Sequence, residues 1–152
     1  MSLQLADSEQ EALLSTAHTA MFTTLRRDGW PVTLPVWFAW SDGHMFVGTP
    51  KDSAKMKRIR RDDRCCVLVE SGRAWVDLAA VEFSARAVLL APGPDTDTAK
   101  RLIDEKYAEF QPPWERLPRA VVAHYATQVY LRLEPVGPLI SWDNSKVRLR
   151  PE

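Results

Sequence analysis

The stretch HMFVGTPKDSAKMKRIRRDDRCCVLVE, residues 44–70, decides the fold because it predicts a strand, a short basic helix and a second strand in direct succession. Apolar and β-branched residues dominate the two runs 44–49 and 65–69, which is typical of strands. Pro50 lacks a backbone donor and ends the first run. The basic segment between the runs is therefore flanked by predicted sheet on both sides.

The start of this basic segment has the chemistry of an anion site. Asp52 or Ser53 is a suitable N-cap, and Lys55, Lys57 and Arg58 follow in the first turns. The unpaired N–H groups and the positive dipole end of a helix favour an anion, and Lys and Arg add charge-assisted hydrogen bonds. A solvated basic helix face has the same composition, so the residues alone leave both interpretations open.

Three consecutive stretches together resemble a known family. They are AMFTTLRRDGWPVTLPVWFAW (20–40), SDGHMFVGTPKDSAKMKRIRRDDRCCVLVE (41–70) and GRAWVDLAAVEFSARAVLL (72–90). Their order is strand, Asp-Gly turn, strand ending in aromatics, Asp-Gly turn, strand, Thr-Pro and a Ser-Ala-Lys helix start. In this order the chain resembles the pyridoxamine 5'-phosphate oxidase-like proteins, which include the flavin- and deazaflavin-dependent oxidoreductases.

The resemblance implies a mainly β fold with flanking helices (α+β), an FMN-binding split β-barrel that forms a homodimer with its site at the subunit interface. A chain of 152 residues with 45% hydrophobic residues fits one globular domain. We therefore expect a single split-barrel flavin-binding domain over residues 1–152.

Periodicity and turn residues predict the other elements. The predicted helices are 8–18, opened by a Ser8–Glu11 capping box, and 97–110; the predicted strands are 20–25, 32–40, 75–90 and 121–133, with a final hairpin of 139–142 and 147–149. Pro31 and Pro35 remove two ladder donors, so 32–40 must be an edge strand or be bulged near Pro35. The run 75–90 is long enough to bend between two parts of a closed sheet.

The resemblance also implies a set of cofactor-site residues. It places Pro35, Val36 and Trp37 beside the cofactor ring, Thr49, Ser53 and Lys55 at the phosphate, Lys57 and Arg58 as added charge, and Trp75 with Trp142 on a wall from the other subunit. Family members more often have Asn-Leu where this chain has Arg58-Ile59, so the resemblance supports Arg58 less well. Lys55 is the phosphate-site residue that the resemblance supports best. Ordinary barrel packing is an equal alternative for Trp37, and six tryptophans fit an aromatic pocket or a dimer interface.

The charge balance argues against a nucleic-acid or membrane partner. Basic and acidic side chains number 20 each, although residues 51–64 hold seven basic and three acidic ones, a local net charge of +4. The apolar runs are too short for a membrane span, and the N-terminus lacks a signal-peptide pattern. Cys65 and Cys66 are adjacent, where a disulfide would be strained. We expect a soluble, cytoplasmic protein with reduced thiols.

Catalytic motifs of other enzyme classes are missing from the sequence. His18, His44 and His124 lack zinc-site spacing, and the chain has no Gly-x-Ser-x-Gly, Walker or Gly-x-Gly-x-x-Gly motif. We therefore predict no metal site and name no catalytic residue. A thiol nucleophile is also disfavoured, because a cysteine inside an apolar strand is usually inert.

A flavin-type cofactor would carry the hydride itself, so the protein needs no visible acid or base. The resemblance thus implies a homodimeric oxidoreductase that uses FMN or the deazaflavin coenzyme F-420 on a small organic substrate. One alternative is a non-catalytic split barrel that binds flavin, haem or tetrapyrrole. Another is an anion-binding or nucleic-acid module that uses the basic segment 51–64.

Overall fold

A computed structural model describes residues 2–150; Met1, Pro151 and Glu152 of the predicted domain lie outside the described residues. The elements in chain order are α1 (Asp7–Thr16), β1 (Ala20–Leu25), β2 (Pro31–Val36), β3 (Ala39–Ser41), β4 (His44–Pro50), α2 (Ala54–Arg61), β5 (Arg64–Ser71), β6 (Ala79–Leu89), α3 (Pro94–Tyr107), α4 (Arg119–Tyr125), β7 (Gln128–Pro135) and β8 (Ile140–Asp143). The fold is mainly β with flanking helices, as the sequence predicts. None of the helices in residues 2–150 is long and apolar enough to cross a bilayer.

The strands form one antiparallel eight-stranded sheet within the described residues. Its order is β2-β1-β5-β6-β7-β4-β3, and β8 pairs with the first part of β6. Inward-facing side chains of strands far apart in this order, such as Phe22, Val67, Phe83 and Leu131, belong to one buried cluster. The sheet therefore curls around a common core, while its end strands β2 and β3 do not pair with each other. This is a half-barrel that is open along one side.

The strand β2 lies at one end of the sheet, which is one of the two arrangements that its prolines predict. Pro31 and Pro35 pair with Leu25 and Met21 of β1. The predicted strand 32–40 is wrong as a single element, because pairing stops at Val36 and resumes in β3. Between them, the backbone N–H of Phe38 donates to the hydroxyl of Tyr107 at 3.0 Å instead of to a neighbouring strand.

The helix α1 begins one residue earlier than predicted and uses a different cap. The backbone N–H of Ala6 donates to Oε2 of Glu9 at 2.6 Å. The predicted Ser8–Glu11 capping box is wrong, because Oε2 of Glu11 accepts a hydrogen bond from Nε1 of Trp40 at 2.7 Å. The side chain of Glu11 therefore makes a long-range hydrogen bond to Trp40 instead of the local one at the helix start that the sequence pattern predicts.

The predicted strand 75–90 begins only at Ala79, since residues Trp75–Asp77 form a short 3-10 helix. Oδ1 of Asp77 accepts the backbone N–H groups of Arg73 and Ala74 at 3.1 and 2.7 Å. Gly72 has φ +97°, and a Cβ there would lie 2.3 Å from the backbone oxygen of Asp77. This turn therefore requires glycine and ends β5 before the short helix.

The predictions for the C-terminal third are partly wrong. The amphipathic helix 97–110 is confirmed as α3, continued by a 3-10 turn over Ala108–Phe110. The predicted strand 121–133 is instead the helix α4 followed by β7. The predicted final hairpin has a single strand, β8, after which Asn144–Lys146 form a 3-10 turn.

Candidate functional site

An open cleft of 1120 Å³ lies where the half-barrel fails to close. The end of β2 with the following residue (Pro35, Val36 and Trp37) and the end of β4 (Gly48, Thr49 and Pro50) line it together. Pairing of β4 with β3 ends at Phe46, whereas Gly48–Pro50 pair with β7 on their other side. The C-terminal ends of β2 and β4, which we call the two sheet ends, thus border the cleft.

Leu34 shows how open the barrel is on the β2 side. It pairs with Phe22, so both side chains lie on the inner face of the sheet. Phe22 is fully buried, whereas Leu34 remains 42% exposed. The inner face of β2 is therefore not covered by the core at Leu34.

One end of the cleft is cationic. Lys55, from the first turn of α2, lines it and is partly buried, with Nζ 5.8 Å from the ring centroid of Phe22. Burial, and secondarily the charge of Arg58, lowers the pKa of Lys55. Within residues 2–150 its amine has neither an ion-pair partner nor a hydrogen-bond acceptor. An anion in the cleft would supply the missing partner.

Two hydroxyl groups lie next to this cationic end. Ser53, one of the two predicted candidates, is the N-cap of α2, and its Oγ accepts the backbone N–H of Met56 at 3.2 Å. The same Oγ lies 3.1 Å from Oγ1 of Thr49, which lines the cleft. The helix start, the hydroxyl pair and Lys55 therefore form one polar end, which is the arrangement that an anion requires.

Five of the ten candidate residues line the cleft: Pro35, Val36, Trp37, Thr49 and Lys55. Ser53 joins them through Thr49. The remaining four, which are Lys57, Arg58, Trp75 and Trp142, do not line it.

Lys57 and Arg58 do not line the cleft. Lys57 is exposed to solvent. Nε of Arg58 donates to the buried Oγ1 of Thr24 at 2.7 Å, so this side chain braces α2 against β1. The charge of Lys57 and Arg58 contributes at most a longer-range attraction to an anion at Lys55.

The two tryptophans expected on a wall from another subunit lie away from the cleft of their own chain. Trp75, in the short 3-10 helix, is 59% exposed, and its backbone oxygen accepts a hydrogen bond from Asn144 at 2.8 Å. Trp142 lies partly buried in β8, where it pairs with Ala80.

Tyr107 holds Trp37 in place at the cleft. The two rings are stacked, with centroids 4.3 Å apart and an interplanar angle of 1°. The Tyr107 hydroxyl accepts the N–H of Phe38 and lies 2.7 Å from the backbone oxygen of His18 and 3.0 Å from that of Phe38. Burial raises the pKa of Tyr107. The sequence places this tyrosine on the apolar face of a helix but gives no sign of its partner.

The far wall of the cleft consists of residues from α3, α4 and the connection between them, which the sequence analysis did not assign to a site. They include Lys100, Ile103, Asp104, Trp114, Leu117, Val121 and Tyr125. Lys100 and Asp104 form an ion pair one helical turn apart. This wall depends on the helical form of residues 119–125. Because a strand was predicted there, these residues were not expected to line the cleft.

Gln128 and Tyr130 of β7 also line the cleft, beside Gly48. A Cβ on Gly48 would lie 2.2 Å from Nε2 of Gln128 and 3.2 Å from Cε1 of Tyr130. Burial, and secondarily the charge of Asp104, raises the pKa of Tyr130. Gly48 thus leaves the space in which these two polar side chains lie.

Lys106 is a second cation without a partner, and it lies outside the cleft lining. Its Nζ is buried, has no hydrogen-bond partner in residues 2–150, and lies 3.7 Å from the ring centroid of Phe38. Burial lowers its pKa to about 8. The aromatic ring offsets part of the cost of burying the charge.

The cysteines have the environment of structural thiols. Cys65 is buried, and the partly buried Cys66 donates from Sγ to Oε1 of Glu82 at 2.8 Å. Burial raises the pKa of each thiol to about 12. Neither is a thiolate at neutral pH, so neither has the reactivity of a catalytic nucleophile.

A comparison with protein-family models shows which family this chain belongs to. The model for pyridoxamine 5'-phosphate oxidase matches residues 6–132. The chain belongs to the pyridoxamine 5'-phosphate oxidase family. This confirms the resemblance identified from the sequence, and the matched range includes both sheet ends that border the cleft.

Solved structures agree with the fold of the pyridoxamine 5'-phosphate oxidase family. A conserved hypothetical protein from Mycobacterium tuberculosis aligns with a TM-score of 0.82 at 23% identity, covering 100% of this chain and 94% of that one. A FAD-binding protein from Mesorhizobium loti aligns at 0.70 with 18% identity, over 91% and 94% of the two chains. A structure named F420 reductase aligns at 0.64 with 20% identity, over 84% and 93%. At these identities the likeness concerns the split-barrel fold.

Proposed function

We propose that this protein is a flavin-type oxidoreductase that binds FMN or coenzyme F-420 in the cleft and acts on a small organic substrate by hydride transfer. The observation that carries the proposal is the unpartnered amine of Lys55 at one end of a cleft bordered by two sheet ends. A family that includes pyridoxamine 5'-phosphate oxidase, and similar structures named FAD-binding and F420 reductase, support a flavin or deazaflavin as the cofactor.

The polar end of the cleft suits the phosphate of such a cofactor. Lys55 would supply the charge, and the hydroxyls of Ser53 and Thr49 would supply hydrogen bonds. The backbone at the start of α2 adds the positive end of an eight-residue helix. In this proposal Lys57 and Arg58 add only long-range charge, since neither lines the cleft.

The β2 side of the cleft suits a flat ring. Pro35 and Val36 present the end of an edge strand, and Trp37 presents an aromatic face held by Tyr107. When bound, FMN or F-420 would supply the hydride chemistry. The role of this chain would be to anchor the phosphate, orient the ring and exclude water. No catalytic side chain is required for these tasks, and we propose none.

We further propose that the functional unit is a homodimer in which the partner closes part of the site. Trp75 is 59% exposed and lies outside the cleft of its own chain, and neighbouring Val76 is also exposed. Large exposed apolar side chains of this kind are enriched in the core of protein interfaces. Analytical ultracentrifugation of the wild-type protein and of Trp75→Ala tests this: a dimer weakened by the substitution supports the proposal, and a monomeric wild-type protein contradicts it.

Titration of the purified protein with FMN, and separately with oxidised and reduced F-420, tests the function. Quenching of tryptophan and cofactor fluorescence reports binding, because Trp37 lies at the proposed ring position. Saturable binding of one cofactor supports the proposal and identifies whether the protein uses FMN or F-420. Binding of neither by a folded protein contradicts it. Tight retention of a cofactor without turnover by any reductant would instead indicate the non-catalytic binding protein.

A further inference from the structure

We propose that residues 111–127 form a lid that is mobile in the cofactor-free protein and closes on the cleft when FMN or F-420 binds. The lid connects the 3-10 turn after α3 with β7, and it contains the helix α4. The inference rests on the proposed function, because that function supplies the molecule on which the lid closes.

None of the residues of the lid is buried, although several of them are large and apolar. Trp114 is 45% exposed and Tyr125 is 46% exposed, while Leu117, Val121 and Val122 are only partly buried. The preceding helix α3, in contrast, buries three of its side chains. Segments with few buried apolar contacts open at a low cost in free energy. The lid therefore lacks the packing that fixes α3.

The hydrogen bonds of the lid are almost all local. Backbone N–H groups such as those of Arg116 and Ala126 donate to oxygens three or four residues earlier in the lid itself. Within residues 2–150, a single hydrogen bond joins the lid to the rest of the chain, from the N–H of Lys51 to the oxygen of Thr127 at 3.0 Å. The charged side chains of the lid make no ion pair with these residues.

The helix within the lid is too short to be stable by itself. The helix α4 has seven residues, whereas isolated helices shorter than roughly 12–15 residues are marginal in water. Its side chains Val121 and Tyr125 line the open cleft and are not buried in the core. Additional packing for α4 is therefore available from a molecule in the cleft.

The lid supplies a large part of the cleft lining. Seven of the 21 lining residues belong to it. The rings of Trp114 and Tyr125 meet edge to face with centroids 6.4 Å apart, which joins the 3-10 turn of the lid to α4. A bound cofactor would cover these two exposed rings and gain apolar burial and aromatic contact. Since this gain requires the lid to be closed, cofactor binding favours the closed state.

The C-terminal end of the lid is attached to the loop that starts α2. The oxygen of Thr127 accepts the N–H of Lys51, and the preceding residue, Pro50, accepts the N–H of Ser53 at 3.1 Å. The proposed phosphate site at Ser53 and Lys55 therefore lies directly after this attachment. A phosphate bound there would hold the loop in place, and with it the end of the lid.

Hydrogen exchange followed by mass spectrometry tests the lid in the wild-type protein. Exchange is measured first on the protein alone and then with saturating FMN or F-420, whichever the titration shows to bind. In the free protein we expect peptides from residues 111–127 to exchange at least about a hundredfold faster than peptides from α3. Bound cofactor should slow the exchange of residues 111–127 at least about tenfold.

The dissociation rate of the cofactor tests closure independently. Trp114→Ala and Tyr125→Ala each remove a ring that the closed lid would place against the cofactor. Each should raise the dissociation rate roughly five- to tenfold, measured by stopped-flow fluorescence. Trp30→Ala is the matched control, because it removes an exposed indole outside the cleft and should leave the rate unchanged.

Three results would overturn the inference. The first is exchange of residues 111–127 as slow as that of α3 in the free protein, which would show that the fold or a second subunit already holds this segment. The second is unchanged exchange of these residues when the cofactor is bound. The third is a dissociation rate in Trp114→Ala and Tyr125→Ala equal to that in Trp30→Ala.

The exchange measurements use the wild-type protein, so they do not depend on the folding of any variant. Titration separates the two proposals. Cofactor binding without protection of residues 111–127 contradicts only the lid. Failure of both cofactors to bind contradicts the proposed function and, with it, the closure of the lid.

Discussion

The indole of Trp37 lies flat on the ring of Tyr107, with centroids 4.3 Å apart. Trp37 occupies the gap between β2 and β3, where the sheet no longer holds the backbone. Tyr107 replaces the missing sheet contacts, because its hydroxyl accepts the N–H of Phe38 and lies 2.7 Å from the oxygen of His18. A buried helix residue thereby fixes an aromatic ring at the cleft.

We expect Tyr107→Phe to lower the free energy of unfolding by about 1 to 3 kcal/mol, because it leaves buried backbone groups without their partner. Urea unfolding followed by circular dichroism measures the loss. Tyr125→Phe is the matched control, since the Tyr125 hydroxyl is not hydrogen bonded to the described residues. Equal stabilities of the two variants would contradict the role assigned to Tyr107.

Lys106→Met should stabilise the protein near neutral pH by about 1 to 3 kcal/mol. Burial lowers the pKa of Lys106 from 10.5 to about 8, so the unfolded chain binds more protons between these values. The buried charge of Lys106 therefore destabilises the wild-type protein most below pH 8. This destabilisation decreases as the pH rises towards 10.5.

The measurement is the free energy of unfolding of both proteins from pH 7 to pH 10. The advantage of Lys106→Met should shrink as the pH rises. An advantage that is constant with pH, or a variant less stable than the wild type at pH 7, would show that the contact with Phe38 at 3.7 Å compensates the buried charge.

Both thiols should resist alkylation in the native protein. The pKa of Cys65 and of Cys66 is raised from 9.0 to about 12, which lowers the thiolate fraction roughly a thousandfold at pH 8. Mass spectrometry after iodoacetamide treatment should find little label in native protein and two labels in urea. Rapid labelling of the native protein would contradict the buried, hydrogen-bonded state of these thiols.

Gly48→Ala should displace Gln128, because a Cβ would lie 2.2 Å from its Nε2. We expect a loss of about 1 to 2 kcal/mol in the free energy of unfolding from crowding beside Tyr130. The double variant Gly48→Ala/Gln128→Ala should recover most of this loss. A double variant as unstable as Gly48→Ala would place the conflict in the backbone or at Tyr130 instead.

Local signals in the sequence were sufficient for the elements around α2. Ser53 is one of two N-cap candidates by residue type, and the prolines at 31 and 35 predict a strand that is either at an edge or bulged. The candidates Pro35, Val36, Trp37, Thr49 and Lys55 came from the family resemblance, and the fold brings all five to one cleft.

Long-range contacts account for two of the predictions that failed, and Glu11 is one case, since it binds Trp40 instead of capping its own helix. Residues 119–125 form a helix although the alternation over residues 121–133 predicts a strand. The far wall of the cleft depends on that helix, so Trp114 and Tyr125 could not be assigned from spacing. Arg58 likewise has the right charge for a phosphate site, but Thr24 binds it.

The most direct test of the central claim is the cofactor affinity of Lys55→Ala. Lys55 is the unpartnered cation of the cleft, so its removal should weaken binding by about 1.5 to 3 kcal/mol, which is roughly a ten- to 150-fold rise in Kd. Lys57→Ala removes an equal charge two residues away from an exposed position outside the cleft and should change Kd by less than about threefold. Equal affinities of wild-type protein and Lys55→Ala would contradict the assignment of the phosphate site.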